Sequence, residues 1–143
     1  MKSKLFSKET VEHPLFNPAG ESVYELIGNS AHIPPAISSK LAVEHPRQAN
    51  HSLALITIAP GAASKPHYHK ICQESYYILS GQARMRLDEQ EIQMGPGQAC
   101  LILPGQVHQI TNDSDQTLEF LAVCVPPWFA SDSVYESYKD EIR

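Results

Sequence analysis

Apolar side chains in this protein are gathered into short runs rich in β-branched and aromatic residues, and each run is ended by turn-forming residues. The runs cover 22–27, 39–44, 52–59, 75–79, 83–88, 91–94, 99–103, 107–111 and 118–125, and they predict nine β-strands. Between them stand Pro60-Gly61, Ser80-Gly81, Gly95-Pro96-Gly97, Pro104-Gly105, Asn112-Asp113-Ser114 and Pro126-Pro127, all of which favour turns. Eleven prolines and seven glycines leave few uninterrupted windows long enough for a helix. Short strands with no helices between them make an all-β, antiparallel sandwich or barrel the expected architecture.

Two stretches depart from this pattern. Residues 1–20 carry Leu5, Phe6, Val11, Leu15 and Phe16 among proline breaks, which reads as an arm packed on the barrel or on a neighbouring subunit. In 131–143, Val134, Tyr135, Tyr138 and Ile142 fall near helical spacing after a Ser-Asp-Ser start, so a short C-terminal helix is expected. The chain is therefore divided into an arm (1–20), a barrel (21–130) and a tail (131–143), with no repeat or linker composition to suggest more.

Composition narrows the possible partners. A length of 143 residues with 42% apolar and 19% charged residues suits one domain. Eleven Lys plus Arg against sixteen Asp plus Glu give a net charge of −5. No uniform basic surface remains to neutralise a phosphate backbone, and nucleic acid is not an expected partner. The longest apolar runs fall well short of the roughly 20 residues that cross a bilayer, so a membrane is not expected either. The opening MKSKLFSKET lacks the apolar core of a secretory signal, which makes the cytoplasm the expected compartment. Cys72, Cys100 and Cys124 are an odd, widely spaced set with no CxxC pair. Cys100 and Cys124 sit among apolar neighbours and read as small hydrophobes.

The chemistry is concentrated in GAASKPHYHKICQESYYILSG, residues 61–81. His67 and His69 are two residues apart, so in an extended segment both imidazoles point to one face. If 70–73 form a turn, Glu74 returns a carboxylate to the same space from the next strand. His108, after the Pro104-Gly105 turn, is a further candidate. Three neutral imidazoles and one carboxylate suit one divalent transition ion per chain, Mn, Fe, Ni, Cu or Zn, and leave positions open where the ion prefers five or six ligands. Because ligating imidazoles must be neutral, metal affinity is expected to fall below about pH 6.

These residues resemble the two motifs of the cupin superfamily. The first, G-x5-H-x-H-x4-E-x6-G, is met by Gly61, His67, His69, Glu74 and Gly81. The second, G-x5-P-x-G-x2-H-x3-N, is met by Gly97, Gly105, His108 and Asn112. Its proline is displaced, with Leu103 at the expected place and Pro104 one later, and Gln98 stands where many relatives carry Asp. Neither departure removes a ligand. The resemblance implies a single antiparallel cupin barrel, the double-stranded β-helix or jelly roll, between about 38 and 126. The ending LEFLAVCVPPW also resembles the last strand of small one-domain cupins described as mannose-6-phosphate isomerase-like.

Other side chains are candidates for supporting roles. Period-2 alternation places Tyr76 and Ile78 on the inner face with Glu74, and Ile110 with His108, making Tyr76 a candidate hydrogen-bond donor to substrate. Arg47, Arg84 and Arg86 are candidate cations for an anionic substrate. Trp128 and Phe129 are candidates to close the barrel mouth, and His51 is a candidate to reach the pocket. His13, His32 and His45 read as surface groups in loops. The expected function is metal-dependent catalysis on a small oxygen-rich molecule, with oxygenase or other oxidoreductase chemistry ahead of isomerisation. The resemblance implies Glu74 as proton shuttle. The alternatives are an isomerase-like cupin and a non-enzymatic module that binds metal and a small ligand. A homodimer is expected, because the arm's apolar residues lack a place in one barrel and an open sheet edge invites a partner.

Overall fold

Strict alternation along 118–125 sets the architecture. Leu118, Phe120, Ala122 and Cys124 are buried while Glu119, Leu121 and Val123 face outward, the pattern of a strand with one face on a core. A computed structural model of the protein describes residues 15–17, 20–28 and 49–136. The strands are β1 (Leu15–Asn17), β2 (Glu21–Ile27), β3 (Ser52–Ile58), β4 (His67–His69), β5 (Gln73–Ser80), β6 (Ala83–Leu87), β7 (Gln90–Met94), β8 (Ala99–Ile102), β9 (His108–Thr111), β10 (Leu118–Val125) and β11 (Ser133–Tyr135). They form a six-stranded sheet in the order β1-β2-β3-β10-β5-β8 and a five-stranded sheet in the order β11-β4-β9-β6-β7. Every named strand pairing is antiparallel, as the sequence predicts. Among the described residues no helix is long and apolar enough to cross a membrane.

The inner faces of both sheets build one core, with Ile58, Ile78 and Phe120 from the first sheet and Met85 and Ile110 from the second, all essentially inaccessible to solvent. The glycine frame of the motifs serves the turns. Gly81 has φ +87° and a Cβ there would stand 2.8 Å from the Thr117 carbonyl oxygen, so only glycine lets β5 turn into β6 beneath the start of β10. Asn112, also a motif residue, is fully buried and structural. Its Nδ2 donates to the carbonyls of Ile58 (3.0 Å) and Gln116 (2.7 Å), and its Oδ1 accepts from Ser114 N (3.1 Å). It thereby ties the β9–β10 turn to β3.

Two expectations change. The C-terminal segment does not begin a helix: Ala130–Asp132 make one 3-10 turn and Ser133–Tyr135 form β11, paired to β4. Near-helical spacing of apolar residues loses here to the unfilled backbone bonds of β4, which β11 satisfies. Part of the proposed arm is a strand, since β1 pairs with β2 at the edge of the six-stranded sheet. The candidate strand 39–44, the rest of the arm and residues 137–143 lie outside the described residues, as do His13, His32, His45 and Arg47.

Candidate metal centre

The two sheets bring the motif residues together. β4 is flanked by β11 and β9, with His67 opposite His108 and His69 opposite Ser133. The chain then crosses from the five-stranded to the six-stranded sheet through the turn at 70–72, and β5 opens with Gln73 and Glu74. Glu74 stands between Cys124 of β10 and Ile102 of β8. The expectation that 70–73 turn the carboxylate back toward the histidines matches this geometry.

One ring nitrogen from each of His67, His69 and His108 lies within 4.8 Å of the others. Glu74 Oε2 is 2.8 Å from His69 Nε2 and 3.6 Å from His108 Nε2. The opposite ring edges are held from behind. His67 Nδ1 is 2.7 Å from the Lys65 carbonyl and His108 Nδ1 is 3.1 Å from the Gln106 carbonyl. A carbonyl only accepts, so both rings carry their proton on Nδ1 and present an unprotonated Nε2 inward. His69 Nδ1 faces the Ser133 hydroxyl at 3.2 Å. Backing of this kind orients imidazoles for metal ligation.

The electrostatics favour neutral imidazoles around an anionic carboxylate. Burial, then the neighbouring His108, lowers His67 from 6.5 to about 4. Burial also lowers His108. Burial works against the charge on Glu74, but the His69 imidazole 2.8 Å away and the other two rings outweigh it and hold the carboxyl below its ordinary range. Glu74 Oε2 and His108 Nε2 are nonetheless buried without a hydrogen bond of good geometry. Such orphaned polar atoms cost about 1–3 kcal/mol each when nothing satisfies them. Two orphans aimed into a nest of imidazoles fit a divalent ion: His67, His69 and His108 are positioned to hold one, and Glu74 would complete the set with an anionic oxygen.

A cavity of about 290 Å³ opens beside this cluster. Val23, Ala54, Ile56, Tyr76, Ala122 and Trp128 supply most of its apolar wall, while Glu21, Glu25, Lys65 and Tyr135 add polar groups. Tyr76 lies 6.1 Å, centroid to centroid, from the His108 ring. Burial, then the charge of Glu74, raises its phenol well above the usual value, so it remains a donor.

Other candidates fall elsewhere. Arg84 and Arg86 are on the outer face of the five-stranded sheet, Arg84 paired with Glu91 (3.1 Å) and Asp113 (2.9 Å), Arg86 with Glu136 (3.3 Å). Alternation along β6 buries Ala83 and Met85 and turns both arginines away from the cavity. His51 is exposed and does not line the cavity, nor does Phe129, whereas Trp128 does. Cys72 and Cys124 are buried, Cys100 is partly buried, and all three are free thiols. Burial raises Cys72 to about 12 and Cys100 to about 11, which keeps them protonated. Sequence reasoning missed Cys124, Ser133 and Tyr135 as cavity residues. Alternation on β10 would have found Cys124; Ser133 and Tyr135 depend on a strand pairing that no local signal reveals.

Comparison with known proteins agrees with the site. The family model described as a cupin domain matches residues 54–124. Over 63 residues the chain is 40% identical to the quercetin 2,3-dioxygenase of Bacillus subtilis, spanning 44% of this chain and 18% of that protein. Over 72 residues it is 32% identical to an oxalate-binding protein of Thermotoga maritima, spanning 50% and 60% respectively. The chain thus spans less than two thirds of the length of these curated relatives. A Klebsiella pneumoniae protein with a double-stranded beta-helix domain superposes with a TM-score of 0.67 at 16% identity, over 95% of this chain and 99% of that one, a likeness of fold.

Proposed function

This chain belongs to the cupin superfamily, and on that premise we propose that it is a metal-dependent oxidoreductase acting on a small, oxygen-rich, chelating substrate. The observation that carries the proposal is the convergence of three imidazoles, each backed on its outer edge, and two orphaned polar atoms beside a cavity of about 290 Å³. When bound, a divalent ion of the set Mn, Fe, Ni, Cu or Zn supplies a Lewis acid for substrate oxygens, and its redox-active members give access to dioxygen chemistry.

The chain's own groups divide the remaining work. Glu74 is ionised, buried and adjacent to the open space, so its carboxylate is placed to accept the proton of a substrate hydroxyl and return it later. Tyr76, held against Phe120 with ring centroids 4.7 Å apart, keeps its hydroxyl proton and donates a hydrogen bond to a substrate oxygen. The apolar wall excludes water from the reacting atoms. The resemblance to quercetin 2,3-dioxygenase supports an oxygen-dependent reaction.

Isomerisation of a sugar phosphate fits less well. It needs cations grouped in the cavity, and among the described residues Lys65 is the cation that lines it. A non-enzymatic ligand-binding role is supported by the likeness to the oxalate-binding protein. Protein loaded in turn with each ion and offered enols, diketones, oxalate and sugar phosphates, with oxygen consumption and product formation followed, separates these readings. Oxygen uptake with an enol or diketone is expected. No conversion of any substrate, together with tight binding of one of them, would replace the enzyme by the binding module.

We also propose a homodimer formed through the outer face of the six-stranded sheet. Tyr77, Leu79, Leu101 and Val125 are exposed there, next to half-buried Leu55, Leu121 and Val123. The outer face of the other sheet instead carries the Arg84 and Arg86 ion pairs. An apolar face opposite a charged one is the distribution expected where a second copy covers the first.

A further inference from the structure

We propose that Asp132 is a positioning residue for the metal centre, fixing from the C-terminal segment the turn that joins His69 to Glu74. The inference rests on the metal reading above. Three successive backbone amides of that turn end on this one residue. Ile71 N donates to Asp132 Oδ1 (2.9 Å), Cys72 N donates to Oδ2 (3.0 Å), and Lys70 N donates to the Asp132 carbonyl (3.0 Å). The Asp132 side chain is buried, with 1% of the residue exposed.

The turn needs such an anchor because it leaves one sheet and enters the other. Its amides belong to neither ladder, and a buried amide without an acceptor is costly. A carboxylate suits the task better than a neutral group, since it offers one oxygen to each of two neighbouring N–H groups. Around it the grip continues: β11 pairs with β4 along its length, Ser133 Oγ meets His69 Nδ1, and Glu136 N donates to the Pro66 carbonyl (3.1 Å). The Cys72 thiol donates to the Pro126 carbonyl (3.3 Å), fixing the far end of the turn. The spacing of 2.8 Å between His69 Nε2 and Glu74 Oε2 is therefore set by groups some sixty residues further along the chain.

The test compares Asp132→Asn with the unaltered protein and with Met94→Ala, a core variant on β7 away from the cluster. Asparagine keeps the size but has one acceptor oxygen, so one of the two amides faces an NH2 group instead. Affinity for Mn(II) or Co(II), measured by chelator competition, is expected to fall at least tenfold. The Co(II) absorption spectrum should change, because the ligands shift. Met94→Ala is expected to lower stability and leave affinity and spectrum alone. Equal metal affinity and spectrum in Asp132→Asn and the unaltered protein, or an equal loss in Met94→Ala, would overturn the proposal.

Should Asp132→Asn fail to fold, amide exchange on the unaltered protein decides. Metal must then slow exchange at Ile71 and Cys72 more than in the β6–β7 hairpin, because the coupling is reciprocal. Equal slowing at both places would overturn the proposal. Absence of metal binding by the unaltered protein would instead remove the metal reading itself, and this inference with it.

Discussion

Replacing His69 and His108 together by alanine takes away two of the three imidazoles of the cluster, the two whose Nε2 atoms stand 2.8 and 3.6 Å from Glu74 Oε2. In the unaltered protein an ion present at 100 times its dissociation constant stabilises the native state by about 2.7 kcal/mol. For a domain of this size each kcal/mol moves the unfolding midpoint by about 3 °C, so the midpoint should rise by about 8 °C. In the double variant only His67 and Glu74 remain, and the rise should shrink to about 1 °C or less at the same ion concentration. The variant's own midpoint will also drop, because both side chains are buried and their loss leaves a cavity. The decisive quantity is therefore the difference with and without metal, followed by thermal melts with each ion and checked by elemental analysis for one ion per chain. A rise near 8 °C, with stoichiometric metal, in the double variant would refute the assignment of these residues.

Glu74→Gln should retain most bound metal while turnover on the best substrate falls by a factor on the order of 10², the scale of a lost proton shuttle; unchanged turnover would exclude that role. The depressed His67, near 4 against an ordinary 6.5, gives the metal-free protein stability that is fully present above pH 6.5 and is lost as pH falls toward 4. Chemical denaturation should show this, and proton competition for the ion should set in nearer pH 4 than the pH 6 expected from an ordinary histidine. Loss of metal already at about pH 6.5 would contradict the buried, neutral imidazole. Light scattering should give twice the mass of one chain, and Leu101→Asp should shift it to one; a concentration-independent monomer before mutation would end the dimer proposal.

The motif residues were legible because the signals that place them are local. His-x-His in an extended run faces one way by the two-residue period of a strand, and the turn residues that return Glu74 lie between the two strands they join. The same period along β10 gives its inward and outward faces without knowledge of any partner. What stayed hidden depends on contacts between distant residues. Tyr135 lies opposite His67 only because β11 adds to the edge of β4, and the helical spacing of 134–142 argued against that pairing. Arg84 and Arg86 could be assigned to one side of β6 but not to the outer one until Met85 was seen in the core. Asp132 carries no signal of its own, since an acidic residue in a Ser-Asp-Ser string reads as a helix cap or as surface.

The distribution of the cluster over the two sheets fits a metal site better than a merely polar pocket in the core. All three histidines are on the five-stranded sheet, and Glu74 is on the six-stranded one. Without an ion, the contact between the sheets at this point is a carboxylate against imidazoles that burial keeps largely neutral, and two polar atoms go unsatisfied. Apolar side chains at these positions would close the sheets more cheaply, as Ile58, Ile78 and Met85 do elsewhere in the core. An ion reverses that comparison, because it satisfies both orphans and attracts the carboxylate and the imidazole lone pairs to one point. It would also join the sheets at the end where the cavity opens, so that the groups facing the cavity and the groups holding the barrel together there are the same.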